Sequence, residues 1–352
     1  MLSKSKFCSY IAAVLFIVLI IAFPDTSTGG VSRGLLISSN IIIPSLFPFI
    51  ACVLMIVKSG FCIKNNFLNS VIYKLFGQNF DMFSAFFLSM LGGYPIGAKL
   101  INELYKQKTI DNESADIMLM YCVNAGPAFI ISVVGVGGFC SKTIGIVLLV
   151  SHITSSVIVA LFCNKKLKRI NHQNIITPKI SKSFSEIFVE SVADACKSIL
   201  SICSFVIIFS VVNAYLDLFL GNAAIIKYLS YFTEVTFSVT KSKNFFFVSF
   251  LLGFSGLSIW CQIFALSRGR KINFTKFLIG RIIHGTISVI LTKIIVTVFK
   301  IKISTFSNNI SIKNDWYCTN KALFFSMIIM LMVLFTFIYS KNNSGKILKD
   351  VV

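Results

Sequence analysis

Six stretches of this chain, Phe7–Phe23, Leu35–Val57, Thr143–Cys163, Ser198–Leu220, Phe277–Phe299 and Leu323–Tyr339, are almost wholly apolar. Each is about as long as a helix that crosses the ~30 Å hydrocarbon core of a bilayer. No aqueous domain can bury so many such segments at once, so the bilayer must serve as solvent for part of their surface. Composition agrees: 56% of the 352 residues are hydrophobic, 36 are phenylalanine and 13% are charged, against about a quarter charged in soluble domains. The expected fold class is an all-α polytopic membrane protein of about 8–9 hydrophobic segments, with broken or re-entrant helices in two weakly related halves.

The formal charge of +20 does not point to nucleic acid, because the lysines and arginines are spread over loops between apolar runs. Cytoplasmic loops and contact with anionic lipid headgroups account for them. Ten cysteines occur without a C-x-x-C pair, mostly inside apolar runs, where free Cys behaves as a small hydrophobe. Neither a metal site nor a disulfide framework is expected. MLSKSKF before the first apolar run has the charged and hydrophobic regions of a signal peptide without a small-x-small cleavage site. An uncleaved first membrane helix is expected.

Polar interruptions divide the chain into a first membrane half (1–163), a basic cytoplasmic linker (164–186), a second membrane half (187–300), and a C-terminal loop, last helix and basic tail (301–352). FFLSMLGGYPIGAKLINELYKQKTIDN in the first half resembles FVSFLLGFSGLSIWCQIFALSRGRKINF in the second, at an offset of 162 residues. Paired Gly/Pro-interrupted segments in corresponding halves point to the binding site of a secondary transporter. If every apolar run crossed, the basic linker would fall outside, against the positive-inside rule. A segment around Leu88–Gly97 that enters and returns on one side repairs the parity and puts Lys99, Lys106 and Lys108 inside. Ordinary crossings then place Arg268, Arg270, Lys271 and the tail lysines Lys341, Lys346 and Lys349 inside. The topology of the second half stays open, because an inverted copy would make Leu252–Trp260 re-entrant from the other face.

LGGYPIGAKL sets Gly92, Gly93, Pro95 and Gly97 at the end of an apolar run. Each backbone group left unpaired in hydrocarbon costs several kcal/mol, so such a break survives only within protein or beside a watered cavity; Gly93-x-x-x-Gly97 also reads as a close helix-packing motif. YCVNAGPAF repeats the theme with Asn124, Gly126 and Pro127, where Asn124 either meets a ligand or caps the restarting helix. LLGFSGLSIWCQ follows with Gly253, Ser255, Gly256, Ser258 and Gln262, and then Arg281 and His284 in an apolar segment. Intramembrane ionisable residues are functional candidates; snorkelling of Arg281 and a helix-to-helix hydrogen bond from His284 are the structural alternatives. His152 reads as structural. Glu186, Glu190 and Asp194 form an acidic stripe that suits a cation or proton route or a solvated face, and Asp111, Glu113 and Asp116 read as helix capping. There is no P-loop, H-E-x-x-H or G-x-S-x-G, so no enzyme activity, cofactor or catalytic residue is expected.

IIIPSLFPFI, GGYPIGAKL, NAGPAFIISVVGVG, EVT at Glu234–Thr236, and FLLGFSGLSIWCQ, in that order over roughly residues 1–300, resemble the YlbJ (SpoVV) family of sporulation integral membrane proteins. The resemblance implies the Gate, or nucleoside recognition, fold shared with concentrative nucleoside transporters and the membrane part of FeoB iron transporters. It implies movement of dipicolinic acid out of the mother cell across the outer forespore membrane. It marks Tyr94, Pro95, Gly97 and Lys99, then Asn124, Gly126 and Pro127, then Glu234 and Gln262 as site positions. One departure is visible: where a glycine is expected soon after EVT, Phe237-Ser238-Val239 follows.

The expected partner is therefore a small organic anion, dipicolinate, besides membrane lipid, in a protein that is free to be a homo-oligomer. Half-helix N-termini at the glycine breaks offer partial positive charge, Lys99 or Arg281 a full one, and Phe47, Phe49 and Tyr94 faces for a pyridine ring. A nucleoside or other small-solute permease of the same fold, and a non-transporting membrane scaffold for spore formation, are the alternatives.

Overall fold

The computed structural model describes residues 4–59, 72–74, 76–77, 80–164, 183–221, 224–236, 242, 244–267 and 269–301. The apolar run at 323–339, the basic tail, Arg268 and most of the linker lie outside them. The described residues form helices and turns without strands. Among the described residues, five helical spans are long and apolar enough to cross a membrane, and three shorter apolar helices accompany them. Side chains such as Leu15, Val18, Ile146, Phe162, Leu200, Ile208, Ile282 and Ile290 stand exposed on these helices, as lipid contact requires and water does not permit in such number. The chain is a multi-pass membrane protein.

Helix α1 (Lys4–Ala22) meets α2 (Pro24–Ile37), which runs through a π-helical turn at Ser38–Ile42 into α3 (Ile43–Lys58). Helices α4 (Phe80–Gly92), α5 (Tyr94–Lys106) and α6 (Asn112–Leu119) follow. An irregular stretch leads to a π-helical segment, Phe129–Gly138, and then to α7 (Lys142–Asn164). Beyond the linker come α8 (Phe184–Leu220), α9 (Ala224–Thr233), α10 (Phe245–Phe254), α11 (Gly256–Leu266) and α12 (Phe274–Val298). A capping box at Ser183 and Glu186 fixes the start of α8, so Glu186 of the acidic stripe is a cap.

Side-chain contacts give each element a direction, relative to the end of the bundle where the linker attaches. Helices α2 and α3 run antiparallel to α8: Arg33 pairs with Asp217 at one end and Lys58 with Asp194 at the other. Lys99 reaches the same Asp194 carboxylate, so α3, α5 and the start of α8 meet at the linker end. Helices α4 and α5 pack on each other with Ser89 beside Gly97. The chain therefore turns back at Gly93, as the charge argument requires. Gly93 has φ 83° and ψ 179°, a conformation open only to a residue without a Cβ.

Helix α6 then starts inward from the linker end. Its continuation through the irregular stretch is paired along α7, with Tyr121 beside Ser156, Ala125 beside His152 and Gly135 beside Gly145. Helix α6 and the π segment are one broken crossing, and α7 is the return. In the second half, α9 runs inward from the far end, and its Phe232 ring reaches Phe254 at 5.1 Å. The chain is back at the far end at Phe245, whose ring meets Phe139. Helices α10 and α11 then cross to the linker end, where Leu266 lies beside Asn102, and α12 recrosses with Gly285 against Gly253 and Ser288 against Ser249.

Each half therefore has a long helix, a segment that enters and returns, a broken crossing and an intact helix, and the halves enter from opposite ends. The 162-residue offset holds for local features: α5 and α11 start at 94 and 256, α6 and α12 at 112 and 274, and their caps are Asp111 and Asn273. The elements it aligns take different paths, since α4–α5 turns back and α10–α11 passes through. Position in the fold pairs LGGYPIG with the break at Glu234, and NAGP with GFSG.

Candidate functional site

The two broken crossings leave carbonyls without helical partners at the bundle centre. Arg281, with none of its surface exposed, reaches across from α12 and donates to Val123 O (2.5 Å), Met120 O, Gly253 O (3.3 Å) and Leu119 O (3.5 Å). Tyr121 O accepts from Asn124 Nδ2 and Ser156 Oγ, both at 2.8 Å. The amide of Ala125 donates to His152 Nε2 (3.0 Å). At the other break, Leu252 O accepts from the Tyr94 hydroxyl (2.7 Å), and Phe254 O from Trp260 Nε1 (2.9 Å) and Ser255 Oγ (2.6 Å). These ends of the interrupted ladder thus have partners, which is what hydrocarbon demands.

The roles expected of several residues change accordingly. Arg281 serves the backbone of both halves at once, because a guanidinium offers several donors in a fixed fork and the broken crossings place carbonyls within their reach. The His284 ring lies 4.6 Å from that of His152 and its Nε2 contacts His152 O at 3.2 Å, a helix-to-helix bond. His152, read as structural, braces the first break. Asn124 also holds Ser89 Oγ. Gly97 presses on Cys122 O, leaving no room for a Cβ, and Gly256 packs against Val235.

Beside this scaffold lies a cavity of about 50 Å³. Gly92, Gly93, Tyr94 and Pro95 form its wall from the first hairpin tip, Gly126 and Phe129 from the first broken crossing, Glu234 and Thr236 from the second re-entrant segment, and Ile259 and Gln262 from α11. Ile42, Leu46, Ile50, Ile202 and Val206 close it with aliphatic surface. Gly93 lies against Gly126, so the N-terminal ends of α5 and of the π segment, with the positive ends of their dipoles, meet beside the cavity. Glu234, 2% exposed, supplies the acidic side chain of the lining, with Oε1 accepting from the Thr236 amide at 2.9 Å.

Of the fifteen expected site residues, Gly92, Gly93, Tyr94, Pro95, Gly126, Glu234 and Gln262 line the cavity; Gly97, Lys99, Asn124, Pro127, Ser255, Gly256, Arg281 and His284 do not. Lys99 stands apart at the linker end on Asp194. Phe47 and Phe49 pack into the apolar cluster between α3 and α8. Thr236 falls in EVT and Ile42, Leu46 and Ile50 in IIIPSLFPFI, but nothing in those motifs marks them as lining; Ile202 and Val206 carry no sequence signal, since Ile and Val in a membrane helix look alike whether they face lipid, core or cavity.

No protein-family profile matches the chain, and no solved structure matches it. The sporulation integral membrane protein YlbJ of Bacillus subtilis (strain 168) is 24% identical to it over 336 aligned residues, which span 81% of this chain and 82% of that protein. The chain described here is thus a multi-pass membrane protein similar to YlbJ over most of the length of both.

Proposed function

We propose that the protein is a secondary carrier or facilitator of a small organic anion, acting in sporulation, with dipicolinate as the solute moved from the mother cell across the outer forespore membrane. The observation that carries this reading is the cavity between two oppositely entering halves, where two interrupted helices bring their N-terminal ends together at Gly93 and Gly126. That arrangement suits a carboxylate, which needs positive ends without a tight cage. The similarity to a sporulation membrane protein supports the biological setting. A cavity of about 50 Å³ holds a few waters, whereas solute sites span roughly 300–1,000 Å³. This conformation is therefore a closed one, and transport requires the halves to move apart.

A second reading, a permease for a nucleoside or another neutral polar solute, is favoured by the lining itself. Among the described lining residues the polar side chains are Tyr94, Glu234, Thr236 and Gln262, without a lysine or arginine. The test is deletion of the gene in its spore-forming host, with dipicolinate measured separately in mother cell and spore. The proposal expects accumulation in the mother cell and a depleted spore. Normal spore dipicolinate overturns it.

A further inference from the structure

The three helices that enclose one side of the cavity also carry a charge cluster further out. Lys58 Nζ lies 2.9 Å from Asp194 Oδ2 and 3.1 Å from Glu190 Oε2, and Lys99 Nζ lies 3.6 Å from the same Asp194 oxygen. Lys197 approaches the other oxygen, Oδ1, at 3.5 Å. Lys58 sits on α3, Lys99 on α5 and Asp194 on α8. The cavity is lined from the same helices by Ile50, Pro95 and Ile202. Ile50 to Lys58 and Ile202 to Asp194 are each eight residues, about 12 Å along a helix. Between the two levels Leu54, Ile96 and Ile199 are at most 4% exposed and pack together. From the linker end inward the order is therefore charge cluster, apolar plug, cavity.

We propose that this cluster is the outer gate and first binding site for a carboxylate solute. Asp194 stands in for the solute: its carboxylate sits on two ammonium groups from separate helices and holds α3, α5 and α8 together over the plug. An arriving carboxylate takes Lys58 and Lys99 from Asp194, so that α5 loses its tie to α8, α3 keeps only the Lys58–Glu190 contact, and the plug parts. The geometry suits this exchange because the lysines are only partly buried, with side-chain exposures of 22% and 39%. Such pairs are weak enough to trade partners, unlike a fully desolvated one. This gate rests on the anion-carrier reading above and assigns it a route from the linker end.

The test follows access to the cavity and needs no transport. Cysteine is placed at Ile202, and its modification by a membrane-impermeant thiol reagent applied at the linker end is read by mass spectrometry of that peptide in the full-length protein in membrane vesicles. The proposal expects slow modification in the parent and several-fold faster modification in D194N. It expects pyridine-2,6-dicarboxylate to accelerate modification in the parent and to have no effect in K58Q/K99Q. Equal rates in parent and D194N, or a rate blind to the dicarboxylate, overturn the gate. Should D194N fail to fold, the dicarboxylate response of the parent against K58Q/K99Q decides alone. Flux measured in liposomes is a separate readout, so flux without acceleration sinks the gate and leaves the carrier reading intact.

Discussion

Arg281 and Glu234 are both buried ionisable residues near the bundle centre, yet their surroundings differ in kind. Arg281 spends its donors on carbonyls of Leu119, Met120, Val123 and Gly253, which belong to both halves. Glu234 receives an amide hydrogen bond from its own segment and faces a cavity beside Tyr94 and Gln262. The difference teaches that a charge within the membrane is first of all a demand for partners. Where broken backbone meets that demand the residue is structural, and Glu234, whose partners Thr236 and Ser258 are local to the second-half breaks, lines the cavity instead.

The contrast can be broken most easily at Arg281. Each carbonyl stripped of its donor costs about 1–3 kcal/mol when buried, so Arg281→Leu should cost more than ~3 kcal/mol and leave little folded protein in a detergent melting experiment followed by size exclusion. Arg281→Lys should rescue it poorly, because an ammonium lacks the guanidinium fork. A parent-like melting temperature for Arg281→Leu would remove the scaffold role. Gly97→Ala comes next: its Cβ runs into the Cys122 carbonyl, and forcing a methyl into such a contact costs about 1–3 kcal/mol, visible in the same assay. Tyr94→Phe removes one donor from Leu252 O and should lower stability by about 1 kcal/mol without loss of the fold. Smallest of all on stability is Glu234→Gln, whose amide oxygen can still accept from Thr236; a change within about 1 kcal/mol is expected together with loss of solute movement.

Much of the fold is legible in the sequence because the bilayer leaves few choices. Four of the six long apolar runs fall on spans, while Phe7–Phe23 falls on a shorter apolar helix and Leu323–Tyr339 lies outside the described residues; Gly93, Gly126 and Gly256 with their neighbours mark interruptions, since a broken ladder in hydrocarbon needs special residues. Asp111 caps its helix through the Ser114 amide as its spacing suggests. The path after each break is not legible. LGGYPIG turns back and GFSG passes through although their local patterns match, because the choice rests on the packing of α4 against α5 and of α10 against α12, contacts between positions without mutual sequence signal. The same holds for partners far apart in the chain. Asp116, read as part of a helix start, is a buried partner of Arg270 at 2.5 Å, and it joins the two halves. Lys58 stands in no motif, yet it meets Glu190 and Asp194 across 132 and 136 positions.

The central claim, that the Glu234 cavity is where a small anion is carried, is tested most directly by uptake of labelled pyridine-2,6-dicarboxylate into liposomes holding purified protein, with uridine as the comparison solute and folded Glu234→Gln as the paired variant. The account predicts saturable dicarboxylate uptake by the parent, little uridine uptake, and dicarboxylate uptake at the empty-liposome level for Glu234→Gln. Parent uptake no greater than that of empty liposomes, or undiminished uptake by Glu234→Gln, would contradict it.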